Sequence, residues 1–331
     1  MEPLIEVRDL SRHFSSGLFR PRLVRAVDRV SFSVAPGETF GVMGESGCGK
    51  STLARLLARL LPPTAGTIRL DGIDLSAASG EQLRRLRRRI QIIFQDAEGT
   101  LDPRMRVRDL LLEPLRVHGL LHEPEPTAID RLLGAVNLTP DLLDRFPHQL
   151  SGGQRQRLGV ARATCLDPDF IVLDEPAASL DLSIQAQVLA NLSQRQRDRG
   201  TGYLLITHNL TVLRLLAQRV AVMYLGRFVE VGTAAEIFDR PRHPYTQALI
   251  SSMGRRTGAR NAAPVGEPPS PLDPPTGCAF HPRCPRAETV CRETPPALLG
   301  ERRLVACHLA VEPDARRPAH SSTSGGGPAA I

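Results

Sequence analysis

The chain has no tryptophan, three tyrosines and ten phenylalanines in 331 residues, so aromatics make up only 4% of it. So thin a set cannot furnish successive stacking platforms for nucleic-acid bases, and no nucleic-acid partner is expected. No run approaches the roughly 18 to 20 apolar residues of a membrane-crossing helix. The opening MEPLIEVRDL carries early acids and lacks the apolar core of a secretion signal. These absences lead to the expectation of a soluble, cytosolic chain. Lysine is almost absent as well: of 42 Lys and Arg residues, only Lys50 is a lysine.

What is present begins with charge and length. A formal charge of +7 could point to an anionic partner, but it is spread along the chain. Its densest run, LRRLRRRI with Arg84, Arg85, Arg87, Arg88 and Arg89, reads as the solvated face of a helix. Hydrophobic residues at 41% are ample for a core, and the length suits one large domain with an appendage, or two domains.

The single lysine lies in GESGCGKS, residues 44 to 51, which fits the phosphate-binding pattern G-x-x-x-x-G-K-S. TFGVM precedes it as a buried strand, and TLARLLARLL follows with apolar residues at helical spacing. Gly44, Gly47 and Gly49 let backbone N–H groups gather round an anion, with Glu45, Ser46, Cys48 and Thr52 completing the loop. The helix N-terminus adds partial positive charge. A phosphate in such a nest calls for a compact charge on a flexible stem, which lysine has and arginine's planar fork does not. Lys50 therefore reads as the phosphate lysine and Ser51 as a Mg²⁺ ligand.

FIVLDEP, residues 170 to 176, reads as a buried strand that delivers two carboxylates to its C-terminal end, where parallel α/β sheets bind ligands. Asp174 suits Mg²⁺, and Glu175 suits the base that orients and deprotonates water. LSGGQRQR, from Leu150, opens a second helix, with Ser151 and two glycines at its start.

GESGCGKS, Gln95 in IIFQD, LSGGQ, LDEP, SLD at 179 to 181 and His208 in LLITH occur in the order of ATP-binding cassette (ABC) ATPases, and the chain resembles that family over about residues 4 to 240. The resemblance implies a P-loop α/β fold: a mostly parallel sheet, an antiparallel β portion near the N-terminus and a helical subdomain at about 96–165. It also implies ATP and Mg²⁺ as cofactors. Phe14 takes the place of the adenine-stacking aromatic, and Gln95 that of the residue that touches the Mg²⁺ shell and reports to a membrane partner. His208 would hold the γ-phosphate and the catalytic water. Ser151, Gly152, Gly153 and Gln154 would grip nucleotide bound to the opposite subunit, with Asp181 stabilising that interface.

Three kinds of cassette compete: an importer subunit, a soluble ATPase of DNA repair or translation, and an exporter ATPase. Pro103, Pro114, Pro124 and Pro126 interrupt the insertion between the P-loop and LSGGQ, which excludes a long coiled coil. A second P-loop and fused membrane helices are absent too. IIFQDAEGTLDPRM, DLSIQAQVL, MYLGRFVEVG and EIFDRPRHPYTQALISS are similar to the oligopeptide, dipeptide and nickel importers, and the opening looks like the second ATPase of their pair. That resemblance implies two permease subunits, a second ATPase, a solute-binding protein reached indirectly, and a place on the cytoplasmic face of the membrane.

An ABC ATPase domain is expected over 1–240, an importer-type extension over 241–310 and a disordered tail over 311–331. PVGEPPSPLDPPTG reads as an extended linker or arm. Cys278, Cys284, Cys291 and Cys307 follow, and their spacing does not suit a zinc ribbon. The importer resemblance implies a [4Fe–4S] cluster on them, with Zn²⁺ or free thiols as alternatives.

Overall fold

The computed structural model describes residues 2–16, 22–95, 98–176, 182–253 and 266–310. The chain starts with strands β1 (Ile5–Ser16) and β2 (Arg22–Val34), then β3 (Thr39–Met43), which is buried throughout. Helix α1 (Lys50–Leu57) follows the glycine loop and is shorter than the apolar spacing predicts. Arg59 turns left-handed at φ 56°, and the amides of Arg59 and Leu60 return to the carbonyls of Leu56 and Arg55, which closes the helix.

Next come β4 (Ala65–Leu70), β5 (Ile73–Asp74), α2 (Gly80–Arg89) and β6 (Ile90–Ile93). Helix α2 carries the arginine run and buries only Leu86, as a solvated face requires. Helices α3 (Val107–Val117), α4 (Glu125–Gly134) and α5 (Gly152–Thr164) precede β7 (Phe170–Asp174). Pro114 lies inside α3 and does not interrupt it, contrary to expectation. The lost hydrogen bond is outweighed where Leu110, Leu111, Leu112 and Leu115 are all buried. Pro124 caps α4 instead.

The remaining elements are α6 (Leu182–Arg199), β8 (Gly202–Ile206), α7 (Leu210–Leu216), β9 (Arg219–Tyr224) and β10 (Arg227–Thr233). After them come α8 (Ala234–Asp239), α9 (Pro244–Met253), α10 (Thr289–Glu293) and β11 (Leu304–Val305). Among the described residues no helix is long and apolar enough to cross a membrane.

Two sheets organise these elements. One is antiparallel with order β2-β1-β4-β5; the other has order β11-β10-β9-β3-β8-β7-β6. In the second, β9, β3, β8, β7 and β6 are mutually parallel, β10 is antiparallel to β9, and β11 is antiparallel to β10. Both faces of the parallel part are covered, as parallel sheets demand. Phe170 and Val172 join the core shared with α1 and the antiparallel sheet, and Ile171 and Leu173 face the core of the helical insertion.

The segment after residue 240 is laid against this frame. Its strand β11 adds to the sheet edge, with Glu230 opposite Val305 and Val231 opposite Leu304. Glu230 is fully buried and accepts from the amides of Arg242 and His243 and from the Arg303 guanidinium. The proline-rich stretch is therefore no free arm where it is described: Pro271, Pro274 and Pro275 line a cavity of about 570 Å³ against Arg25, Tyr224 and Phe228. Residues 254–265 and 311–331, including the expected tail, lie outside the described residues.

Candidate nucleotide site

Strand order assembles the site. Adjacent strands β3, β8, β7 and β6 run parallel, so the residues beyond their C-terminal ends form one row. Beyond β3 lies the glycine loop, beyond β8 His208, at the end of β7 Asp174 with Glu175 just beyond it, and beyond β6 Gln95. A groove of about 250 Å³ there is lined by Ser46, Gly47, Gly49, Lys50, Ser51, Thr52, Gln95, Asp174 and Glu175. It matches the crevice at the carboxyl ends of strands where open α/β sheets bind ligands.

The loop's shape has local causes. Gly49 sits at φ 112°, and a Cβ there would lie 2.1 Å from the Ala26 carbonyl oxygen, so no larger residue fits. The Cys48 carbonyl accepts from the Gly226 amide at 2.9 Å, which ties the loop to the β9–β10 turn. Lys50 Nζ donates to the carbonyls of Gly44 and Glu45 at 2.8 and 2.9 Å. The ammonium is thus held inside the loop by its own backbone. Cys48 is buried, and burial pushes its thiol up despite the nearby Lys50 charge.

Asp174 is buried at the end of β7. Burial raises its pKa first, the neighbouring Glu175 charge adds to that, and a hydrogen bond from the Ser51 side chain acts against it. A buried carboxylate beside a hydroxyl suits a divalent cation. Glu175 adopts a left-handed φ of 50°, held by its amide donating to the Ile206 carbonyl at 2.8 Å. Its Oε2 lies 2.8 Å from His208 Nδ1, yet accepts no well-aligned hydrogen bond. We treat the pair as a contact, because distance without alignment is a weak bond. That oxygen is buried and has no aligned hydrogen-bond partner.

A residue missed at the level of sequence braces this row. Gln156 on α5 is 1% exposed and donates from Nε2 to the carbonyls of Phe94 and Pro176 at 3.2 and 2.9 Å. Those carbonyls adjoin Gln95 and Glu175 in the chain. The signal was only a third polar residue in GGQRQR at helical spacing, which does not reveal burial.

Other expected residues stand elsewhere. Ser151 caps α5: its Oγ accepts from the Gln154 amide, and the Gln154 side chain accepts from the Ser151 amide. Ser151 and Gly152 are exposed, and Ser151 to Gln154 do not line the groove. Phe14 does not line it either; the Arg12 guanidinium lies 4.7 Å from its ring centroid, and its cross-strand neighbour Val24 reaches the groove instead. Gly44, Glu45 and Cys48 do not line the groove. Asp181 lies outside the described residues.

The four late cysteines lie close enough to affect one another. Cys278 is pushed up to about 11, by burial first and also by the other three thiols. Its amide donates to the Cys291 carbonyl at 2.8 Å. Among the described residues, however, no three His, Cys, Asp or Glu side chains converge to hold a metal ion.

Comparison with known proteins agrees with this geometry. Residues 27–178 match the ABC transporter family, and residues 229–291 match the oligopeptide/dipeptide transporter C-terminal region. The putative oligopeptide transport ATP-binding protein YkfD of Bacillus subtilis is 45% identical over 93% of this chain and 95% of its own length. The di/tripeptide transport ATP-binding protein DppF of Pseudomonas aeruginosa is also 45% identical, over 94% of this chain and 98% of its own. Among solved structures, the dimeric ABC transporter cassette MJ0796 superposes with a TM-score of 0.63 at 25% identity, covering 70% of this chain and 98% of that one. The chain belongs to the ABC transporter family of ATP-hydrolysing subunits, in the group that carries the oligopeptide/dipeptide transporter C-terminal region.

Proposed function

We propose that this chain hydrolyses ATP to drive peptide uptake, as one of two ATPase subunits docked on two permease chains at the cytoplasmic face of the membrane. The observation that carries the reading is the row of Lys50, His208, Glu175 and Gln95 beyond four adjacent strands, in a chain that matches the peptide-transporter C-terminal region. A solute-binding protein would deliver the peptide to the permeases. The transport in these relatives' names favours a transporter over the soluble roles in DNA repair or translation, and a putative peptide import ATP-binding protein of Brucella abortus, 47% identical, favours import over export.

The loop amides and Lys50 would bind the β- and γ-phosphates. Ser51 and Asp174 fit Mg²⁺, which when bound offsets charge on the phosphate oxygens. Glu175 would take a proton from water, whose oxygen bonds to the γ-phosphorus as the bond to the β,γ-bridging oxygen breaks. ADP and inorganic phosphate leave. His208 would hold the γ-phosphate and the attacking water, and Gln95 would sense the nucleotide. Because Ser151 to Gln154 do not line their own groove, we assign them, with Asp181, to the nucleotide of the opposite subunit. Phe14 would meet adenine only once Arg12 moves from its ring.

The finer cofactor reading is a [4Fe–4S] cluster on Cys278, Cys284, Cys291 and Cys307. A cluster takes one thiolate per iron, so its sulfurs stand farther apart than four thiolates on one zinc ion. That suits thiols which interact without converging, and metal binding would supply the deprotonation that burial opposes.

Mild solubilisation of native membranes and mass spectrometry of what copurifies with the chain test the transport reading. Two multispanning permeases and a second ATPase are expected. Recovery with nucleic acid, or without any membrane protein, overturns it.

A further inference from the structure

The loop residue Glu45 is held by two side chains from beyond residue 240. Arg283 donates from both terminal nitrogens to its carboxylate, at 2.8 and 2.9 Å. Tyr245 on α9 accepts from the Glu45 amide through its hydroxyl at 2.8 Å. The Arg283 side chain is 6% exposed, and that of Glu45 26%. Tyr245 and Phe280 pack on Tyr224 with ring centroids 4.6 and 5.5 Å away, which walls the latch. The backbone of Arg283 is set by a short turn, its amide donating to the Phe280 carbonyl at 3.0 Å.

We propose that Arg283 is a positioning residue for ATP binding: it neutralises the Glu45 carboxylate beside the phosphate cradle and holds the Glu45 peptide that orients Lys50. The inference rests on the ATPase reading above. Its logic is a chain of contacts. The Glu45 carbonyl is one of the two that receive Lys50 Nζ, and Ser46, the next residue, lines the groove. A bidentate arginine fixes the carboxylate in direction as well as charge. Without it, an unpaired carboxylate stands one residue from a site built for a polyanion. The negative charge then repels ATP, and the loop loses its outer anchor. The segment that carries the transporter C-terminal region thus reaches the phosphate loop through the Arg283–Glu45 ion pair and the Tyr245 hydroxyl, and its Pro271 lines the groove itself.

The test uses the full chain, a fluorescent ATP analogue with ATP competition for Kd, and steady-state ATPase assays. Arg283→Ala is expected to weaken ATP binding by about tenfold, as loss of one partner of a largely buried charge pair does, and to raise KM by more than it lowers kcat. Arg283→Lys, which keeps charge but loses the fork, falls between and serves if the alanine variant does not fold. Adding Glu45→Gln to Arg283→Ala recovers most of the affinity, because the unpaired carboxylate is gone. Unchanged ATP affinity in folded Arg283 variants overturns the proposal, and so does a double variant that binds no better than Arg283→Ala. If the unsubstituted chain itself fails to bind ATP, the ATPase reading falls and this inference with it.

Discussion

At the residue scale, the protein's one lysine occupies a place that its arginines could not take. Its ammonium fits between the carbonyls of Gly44 and Glu45, within a loop too tight for a Cβ at Gly49. A guanidinium is broader and donates in a fixed plane. The Glu175 carboxylate, the proposed base, is legible from LDEP, but its left-handed backbone and its unaligned contact with His208 are not. Strain of this kind persists only where surroundings enforce it, here through the Ile206 carbonyl. Replacing Glu175 with Gln is expected to leave ATP binding intact and cut turnover by about a hundredfold or more, with closed dimer accumulating on a sizing column. Unchanged turnover would remove Glu175 as the base.

At the scale of elements, the joins between sheets and extension rest on buried polar groups. Asp28 on β2 accepts from the Arg227 guanidinium of β10 at 2.9 and 2.6 Å, which links the antiparallel sheet to the catalytic one. Burial pushes the Asp28 carboxyl up, but Arg227, Arg29 and Arg25 together bring it below its usual value. His243, just before α9, is the acid-sensitive join. It is 1% exposed, its Nδ1 accepts from the Tyr245 amide, and burial lowers its pKa from 6.5 to about 3. The unfolded chain therefore takes up a proton below pH 6.5 that the folded chain refuses until about pH 3. Stability is expected to fall with acid across that window, by up to about 1.4 kcal/mol per pH unit. Melting temperatures followed from pH 7.5 to about pH 5 check this. His243→Gln should lower stability at neutral pH but flatten the decline; an equally steep decline would assign it to other groups.

At the scale of the whole molecule, the two helix starts proposed to face phosphate do not meet. The groove with Lys50 and the exposed helix start at Ser151 belong to different surfaces. If each ATP site takes one half from each of two subunits, ATPase activity per chain rises with protein concentration and levels off once dimers form. Measuring specific activity over a dilution series decides this; a constant value down to the most dilute sample places the complete site within one chain. The segment after 240 is also a matter of whole-molecule scale, because its β11 and Arg303 attach at Glu230 of β10 and its Arg283 attaches at Glu45 of the glycine loop.

The sequence by itself determined the P-loop and its lysine, the carboxylate pair at a strand end, the capped helix at Ser151 and the order of motifs that marks the family. These are legible because each depends on local chemistry: glycine where the backbone must close on an anion, a continuous apolar run where a strand is buried on both faces, a hydroxyl where a helix begins. Tertiary structure alone decided which strand ends are neighbours, because sheet order is not written in chain order. It also decided that Gln156 is buried between two loop carbonyls, that a helix continues through Pro114, and that a proline-rich stretch lies on the core. Above all it decided that Arg283 grips Glu45. Those partners are far apart along the chain, and no local propensity distinguishes a latching arginine from the forty others.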